Sequence, residues 1–289
     1  AAPASASAAP AASGVPSSNA VAATAQVPAT TAAAPAQAAA PRERVVISTD
    51  VLKLTLDSEG GTIVKSEFVK HADMADPKKS TVLLDESKDR FYVAQTGLIG
   101  GAFPTHKTPM NVTGERVLKD GVNELAVKFE SPDLGGVKLV KTYVLSRGSY
   151  AIAVKHEIVN TGNAAVSPQL YMQLVRDGNK PAGESSFYST FTGPVVYTDA
   201  KKYQKVEFSD IEKNKVDIEK TATNGYVAMV QHYFASAWLL GDGVKRAMAT
   251  VTTLRAASAV PATGFGGPSL PARSSLASAE IESILGVKG

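Results

Sequence analysis

Short extended segments punctuated by glycine and asparagine turns run through the chain, with no amphipathic helical pattern of about a dozen residues between them. Leu52-Lys53-Leu54-Thr55-Leu56-Asp57 alternates apolar and polar side chains, as a half-buried strand does. Gly60-Gly61 supplies a turn, and Thr62-Ile63-Val64 resumes the extended pattern. Val122 to Phe129 alternates in the same way, and Val137 to Leu145 is rich in β-branched and aromatic residues. Arg147-Gly148-Ser149 turns the chain into Tyr150 to Val159, whose Ile152, Val154 and Ile158 share a face, and Asn160-Thr161-Gly162-Asn163 turns it again. Such a series predicts an antiparallel β-sandwich. Short helical turns fit only around Asp85 to Arg90 or Ile211 to Lys215.

The two ends of the chain differ from this middle. Residues 1–41 carry no charged side chain and are almost entirely Ala, Pro, Ser, Thr and Val, with prolines at 3, 10, 16, 28, 35 and 41. Those prolines interrupt any long helix, and few large apolar groups offset the entropy of ordering, so a disordered linker is expected. As a flexible coil it would span on the order of 35 Å. It reads equally as a tail or as a tether to a membrane anchor. The chain opens Ala1-Ala2-Pro3 without an initiator Met or a basic n-region, as expected of a fragment. Residues 42–243 form the expected sandwich domain. Residues 244–289 are dominated by small residues and Pro, and are expected to be less ordered, with a short helix near 279–285 carrying Ile281, Ile284 and Leu285.

Composition excludes several function classes. Cysteine is absent, which removes disulfides, thiolate metal sites and cysteine nucleophiles. A net charge of +3, from 30 basic and 27 acidic residues, argues against nucleic acid as partner. The longest apolar stretch, Tyr226 to Leu240, contains Gln231 and His232 and is short of the roughly 20 residues of a membrane span, so it is read as core.

No pattern of catalytic or ligating residues emerges. His71, His106, His156 and His232 are scattered, and His156-Glu157 lacks the second His of a zinc-protease helix. His156 shares a strand face with Ile152 and Val154, which predicts a core or edge histidine. Its neighbour Glu157 points to the opposite face, so the two do not form an acid–base pair. Gly60-Gly61, Gly100-Gly101, Gly135-Gly136 and Gly266-Gly267 fit neither a phosphate loop nor a dinucleotide loop and read as turns. The acidic residues between Asp73 and Asp89 are interspersed with lysines, as on a solvated surface. Tyr226, Tyr233, Phe234 and Trp238 lack interleaved basic residues and read as packing groups. Phe187, Tyr188, Phe191, Tyr197 and Tyr203 surround Gly193-Pro194 and read as a loop entering a strand. Catalytic, cofactor-binding and metal-binding residues are therefore expected to be absent.

Several segments resemble the periplasmic domain of YidC-type membrane protein insertases. They are Val46 to Leu52 with Thr49 and Asp50, then Gly60-Gly61, Gln95 to Leu98, and Lys141 to Tyr150 with Arg147-Gly148. Phe191-Thr192-Gly193-Pro194 and Lys201-Lys202-Tyr203 follow, and the most specific is Gly225 to Trp238, with Tyr233 and Phe234. Their order and spacing cover roughly Arg42 to Gly243. The resemblance implies a β-supersandwich related to galactose mutarotase-like folds. It also implies a place on the periplasmic face of the bacterial inner membrane, between flanking membrane helices. Its implied partners are the Sec translocon with accessory subunits and nascent membrane proteins. Thr49, Asp50, Gly60, Gly61, Arg147, Gly148, Gly193, Gly225, Tyr233, Phe234 and Trp238 would be structural signature residues. Beyond Lys245 the pattern departs from the family, whether by divergence, rearrangement or a change of reading frame. A carbohydrate-binding or sugar-epimerising sandwich is the alternative on fold analogy alone, and a secreted adhesin-like module would explain the linker but not the motifs.

Overall fold

The computed structural model describes residues 41–179, 190–219, 221–231 and 233–239, and the backbone of 246–247, 275–276 and 282–284. The first strands in chain order are β1 (Arg44–Ser48), β2 (Leu52–Asp57), β3 (Thr62–Ala72), β4 (Ser80–Glu86), β5 (Phe91–Ile99), β6 (Asn111–Gly114) and β7 (Glu124–Glu130). They continue with β8 (Val137–Ser146), β9 (Ala151–Asn160), β10 (Gln169–Arg176), β11 (Thr192–Thr198) and β12 (Lys202–Lys205). A single helical turn, α1 (Phe208–Glu212), precedes β13 (Thr221–Ala222), β14 (Tyr226–Gln231) and β15 (Phe234–Leu239). Short pieces close the series: β16 (Arg246–Ala247), β17 (Ser275–Leu276) and β18 (Glu282–Ile284).

Two antiparallel sheets carry the fold, one of six strands in the spatial order β1-β2-β3-β4-β5-β10 and one of ten in the order β12-β11-β14-β15-β18-β9-β8-β7-β6, with β17 also paired to β9. The alternation legible in the sequence is the alternation of burial. Leu125, Val127 and Phe129 of β7 are buried while Glu124, Ala126 and Lys128 between them are exposed. Leu52, Leu54 and Leu56 of β2 meet Phe129, Leu139, Tyr143, Ile152 and Val154 in one shared core. β5 departs from alternation: Tyr92 to Leu98 is buried on both faces. One face looks into the sandwich, and the loop at 103–110 and Tyr171 of β10 pack over the other. A smaller cluster, Val196, Val206, Ile211 and Ile218, sits under α1.

Two expectations are corrected. The short helix proposed near 279–285 is not formed at 282–284. There the backbone makes β18, paired on one side with β15 and on the other with β9. The physical reason is the ladder: β15 and β9 would otherwise present unpaired edges to each other across a gap, and a three-residue strand satisfies both. The helical turn begins at Phe208, ahead of Ile211, and Asp85 and Glu86 complete β4 instead of starting a helix. Residues 1–40 of the expected linker at 1–41, together with Phe187, Tyr188, His232, Gly266-Gly267, Ile281 and Leu285, lie outside the described residues.

Candidate functional site

The residues expected to be structural signatures fall at three joints. At the first, Thr49 shapes the β1–β2 turn, its Oγ1 accepting from Leu52 N at 3.0 Å. Asp50 Oδ1 accepts from Gly148 N at 2.9 Å, so this turn is tied to the β8–β9 turn. That N–H also holds the exposed Asp50 carboxyl below the usual carboxylate range. Arg147 of the same turn donates from Nη2 to Lys119 O at 2.7 Å and Val122 O at 3.0 Å, pinning the preceding loop.

At the second joint, β14 and β15 bring aromatic groups across the sandwich. Phe234 stacks on Phe68 of the facing sheet with ring centroids 5.4 Å apart. Trp238 is buried and donates from Nε1 to Gln173 O of β10 at 3.1 Å. Tyr233 lies in the hairpin turn, exposed. Gly193 lies within β11 and Gly225 immediately precedes β14; at Gly225 the Tyr197 carbonyl lies where a Cβ would sit. Phe191 of the first aromatic group lies under Lys205 Nζ, 5.1 Å from its ring centroid. Tyr197 stacks on Tyr226 at 5.4 Å, and Tyr203 is exposed.

The third joint is a buried polar seam. Gly60 and Gly61 adopt φ +73° and +60°, and their carbonyl oxygens point into the core. Lys141 of β8, fully buried, donates from Nζ to Gly60 O and to Thr96 O, each at 2.6 Å. Tyr143, two residues on and so on the same face, donates its hydroxyl to Gly61 O. His156, the register partner of Lys141 on β9, meets Thr96 Oγ1 through Nε2 at 2.9 Å. Three side chains of the ten-stranded sheet thus grip the β2–β3 turn and β5 of the other. Removal from water pushes the Lys141 ammonium down to about 7 and raises the Tyr143 phenol.

On the far side of β5, Tyr171 fits over Gly97, which has no side chain to obstruct its hydroxyl. That oxygen accepts His106 N–H at 3.0 Å and lies 2.5 Å from His106 Nδ1. The hydroxyl donates to Nδ1 in one imidazole tautomer and accepts from it in the other, and Nε2 has no partner among the described residues. His106 lines a cavity of about 280 Å³ on the outer face, with Thr62, Val64, Val93 and Gln95. Beside it Arg42 pairs with Asp57 at 2.6 Å and Glu59 at 3.0 Å, so the charges at its mouth neutralise one another.

His156 lies in the core as its strand pattern predicts, and Glu157 is exposed on the other face. Among the described residues no group of three His, Asp or Glu side chains is placed to hold a metal ion. Sequence reading passed over Lys141. The signal was present: in Leu139, Lys141, Tyr143, Leu145 the lysine occupies an inward position of a period-two pattern. The His106–Tyr171 contact had no such signal, because 65 residues separate the partners.

Fold and joints together define a two-sheet antiparallel β module stapled by buried polar groups. The family described as the YidC periplasmic domain matches residues 44–266, and the chain belongs to that family. The match runs past the point where sequence resemblance alone stops. Among its relatives, Membrane protein insertase YidC of Bordetella parapertussis is 50% identical over 209 residues, 71% of this chain and 37% of that protein. The protein of the same description from Bordetella avium is 47% identical over 232 residues, 78% of this chain and 41% of the other. That from Janthinobacterium sp. is 46% identical over 230 residues, covering 78% and 40%. The chain thus spans about two fifths of the length of the curated relatives it matches. Among the described residues no helix is long and apolar enough to cross a membrane.

Proposed function

We propose that this chain is the periplasmic module of an inner-membrane protein insertase. In this reading it aids insertion and folding of membrane proteins as a scaffold, through surface complementarity and with no covalent step. Its partners are nascent membrane proteins and the Sec translocon with its accessory subunits. One observation carries the proposal: near 50% identity, spread over the sandwich, to proteins described as membrane protein insertases. The signature residues act as structural joints in it, since their contacts are to the protein's own backbone and core.

The test is a chimera in which this chain replaces the matching segment of the Bordetella avium relative. The chimera is expected to support growth when the native insertase is depleted, and to crosslink to Sec subunits from photoreactive groups on the sandwich surface. Growth with no crosslink above that of a version lacking the sandwich would refute the scaffold role.

A further inference from the structure

Three basic side chains surround Thr96-Gly97, Lys141 and His156 from between the sheets and His106 from the outer face of β5, and among the described residues none of them is bonded to a carboxylate. Lys141 Nζ is on Thr96 O, His156 Nε2 is on Thr96 Oγ1, and His106 reaches over Gly97 through Tyr171. His106 and His156 are each 4% exposed and Lys141 is 0% exposed, so solvent does little to screen them from one another. The groups facing them from every packed element can be named. From β8 come Lys141 and Tyr143, from β10 Tyr171, and from the loop His106 and Lys107. β7 presents Phe129, the register partner of Lys141. On the outer face Asp57, Glu59 and Glu86 line the same cavity as His106, each paired there with Arg42 or Arg44. Glu157 points away from the seam.

We propose that Lys141, His156 and His106 form a proton-operated latch around Thr96-Gly97 of β5, two of them from the facing sheet and one from the outer loop. Protonation of the histidines puts two further positive charges beside an ammonium that has no carboxylate partner among the described residues. The Gly60-Gly61 turn and the loop at 103–110 then detach, while the strands stay paired. The turn and loop move together because Gly60 N donates to Thr108 O at 2.8 Å and the His106 backbone occupies the place of a Gly60 Cβ. Protonation also turns Nδ1 of His106 into a donor to the Tyr171 oxygen, so the hydroxyl proton must find another acceptor. Geometry sets the direction, and burial agrees with it. Desolvation, reinforced by Lys141, pushes His156 down to about 3; desolvation, Lys107 and Lys141 push His106 down to about 4. Both histidines therefore stay neutral in the closed form over the range where an exposed imidazole, near 6.5, takes up its proton. The latch depends on the seam alone and goes beyond the insertase reading.

The test uses the full chain between pH 8 and pH 4.5. Amide exchange protection at Gly60 and His106, corrected for intrinsic rates, is expected to fall below pH 6.5 by about tenfold per pH unit for each proton taken up. Protection at Val127 and Val144 should persist into lower pH. The imidazole resonances of the unaltered protein should include two that are still neutral at pH 5. His156→Gln keeps a donor for Thr96 Oγ1 and should remove one proton of the dependence; His106→Gln should remove the other. If all four imidazoles titrate between pH 6 and 7, the latch is wrong, whatever the variants do. It is equally wrong if the double variant folds and keeps the wild-type dependence, or if turn and strand amides lose protection together.

Discussion

Replacing Gly60 by alanine isolates the close approach that holds the seam's turn in place. Gly60 has φ +73°, where an L side chain costs about 1–2 kcal/mol. A Cβ there would also fall inside the His106 carbonyl, so the loop must shift. That shift breaks the hydrogen bonds Gly60 N→Thr108 O (2.8 Å) and Met110 N→Ser58 O (2.9 Å). At about 1 kcal/mol each they add roughly 2 kcal/mol. Alanine lowers the entropy of the unfolded chain, an offset of about 0.4–1 kcal/mol. The net expected loss is about 3 kcal/mol. Gly121→Ala is the control: its φ is +76°, but nothing lies within 4 Å of its missing Cβ. It should lose only about 1 kcal/mol, the dihedral cost less the entropy offset. Urea unfolding followed by the chain's single tryptophan, the buried Trp238, reads both. With a slope of about 2 kcal/mol/M, the midpoint should fall by about 1.5 M for Gly60→Ala and about 0.5 M for Gly121→Ala. Equal shifts would refute the argument, because they would mean the packed loop adds nothing to the cost of the backbone angle.

Lys141 should make stability rise with alkali. Its native value lies near 7, below its ordinary 10.5, so between those limits the unfolded chain binds more protons and stability increases by up to about 1.4 kcal/mol per pH unit. Chemical denaturation from pH 7 to 9.5 should show this slope, and Lys141→Met should flatten it even though its overall stability drops. The measurement stops short of pH 10, where unfolded tyrosines ionise before the buried Tyr92, Tyr143 and Tyr171 and lower stability again. Tyr143→Phe keeps the ring against Phe129 but leaves the Gly61 carbonyl without its donor. It should cost about 1–3 kcal/mol in the same urea assay, and an unchanged midpoint would show that the hydroxyl contributes nothing to the joint.

Much of the sandwich could be read from the chain before any coordinate. Leu52 to Asp57 is β2 to the residue, and Val137 to Leu145 and Tyr150 to Val159 fall within one residue of β8 and β9. These succeed because strand alternation is a local property: a face is apolar or polar whatever it later meets. The Gly60-Gly61 turn was legible for the same reason, and so was the inward placement of His156.

Tertiary structure decided everything that needs two distant segments to meet. Gly60-Gly61 is a turn from its own composition, but only the fold brings Lys141 and Tyr143 to its carbonyls, 81 and 82 residues away. The helical spacing of Ile281, Ile284 and Leu285 is genuine, yet β18 forms because β15 and β9 leave a gap whose backbone groups must pair. Local patterns carry the period of one element. Hydrogen-bond demand at a buried edge or carbonyl is a property of neighbours that the sequence lists far apart, and it overrides a weak local preference wherever the two compete.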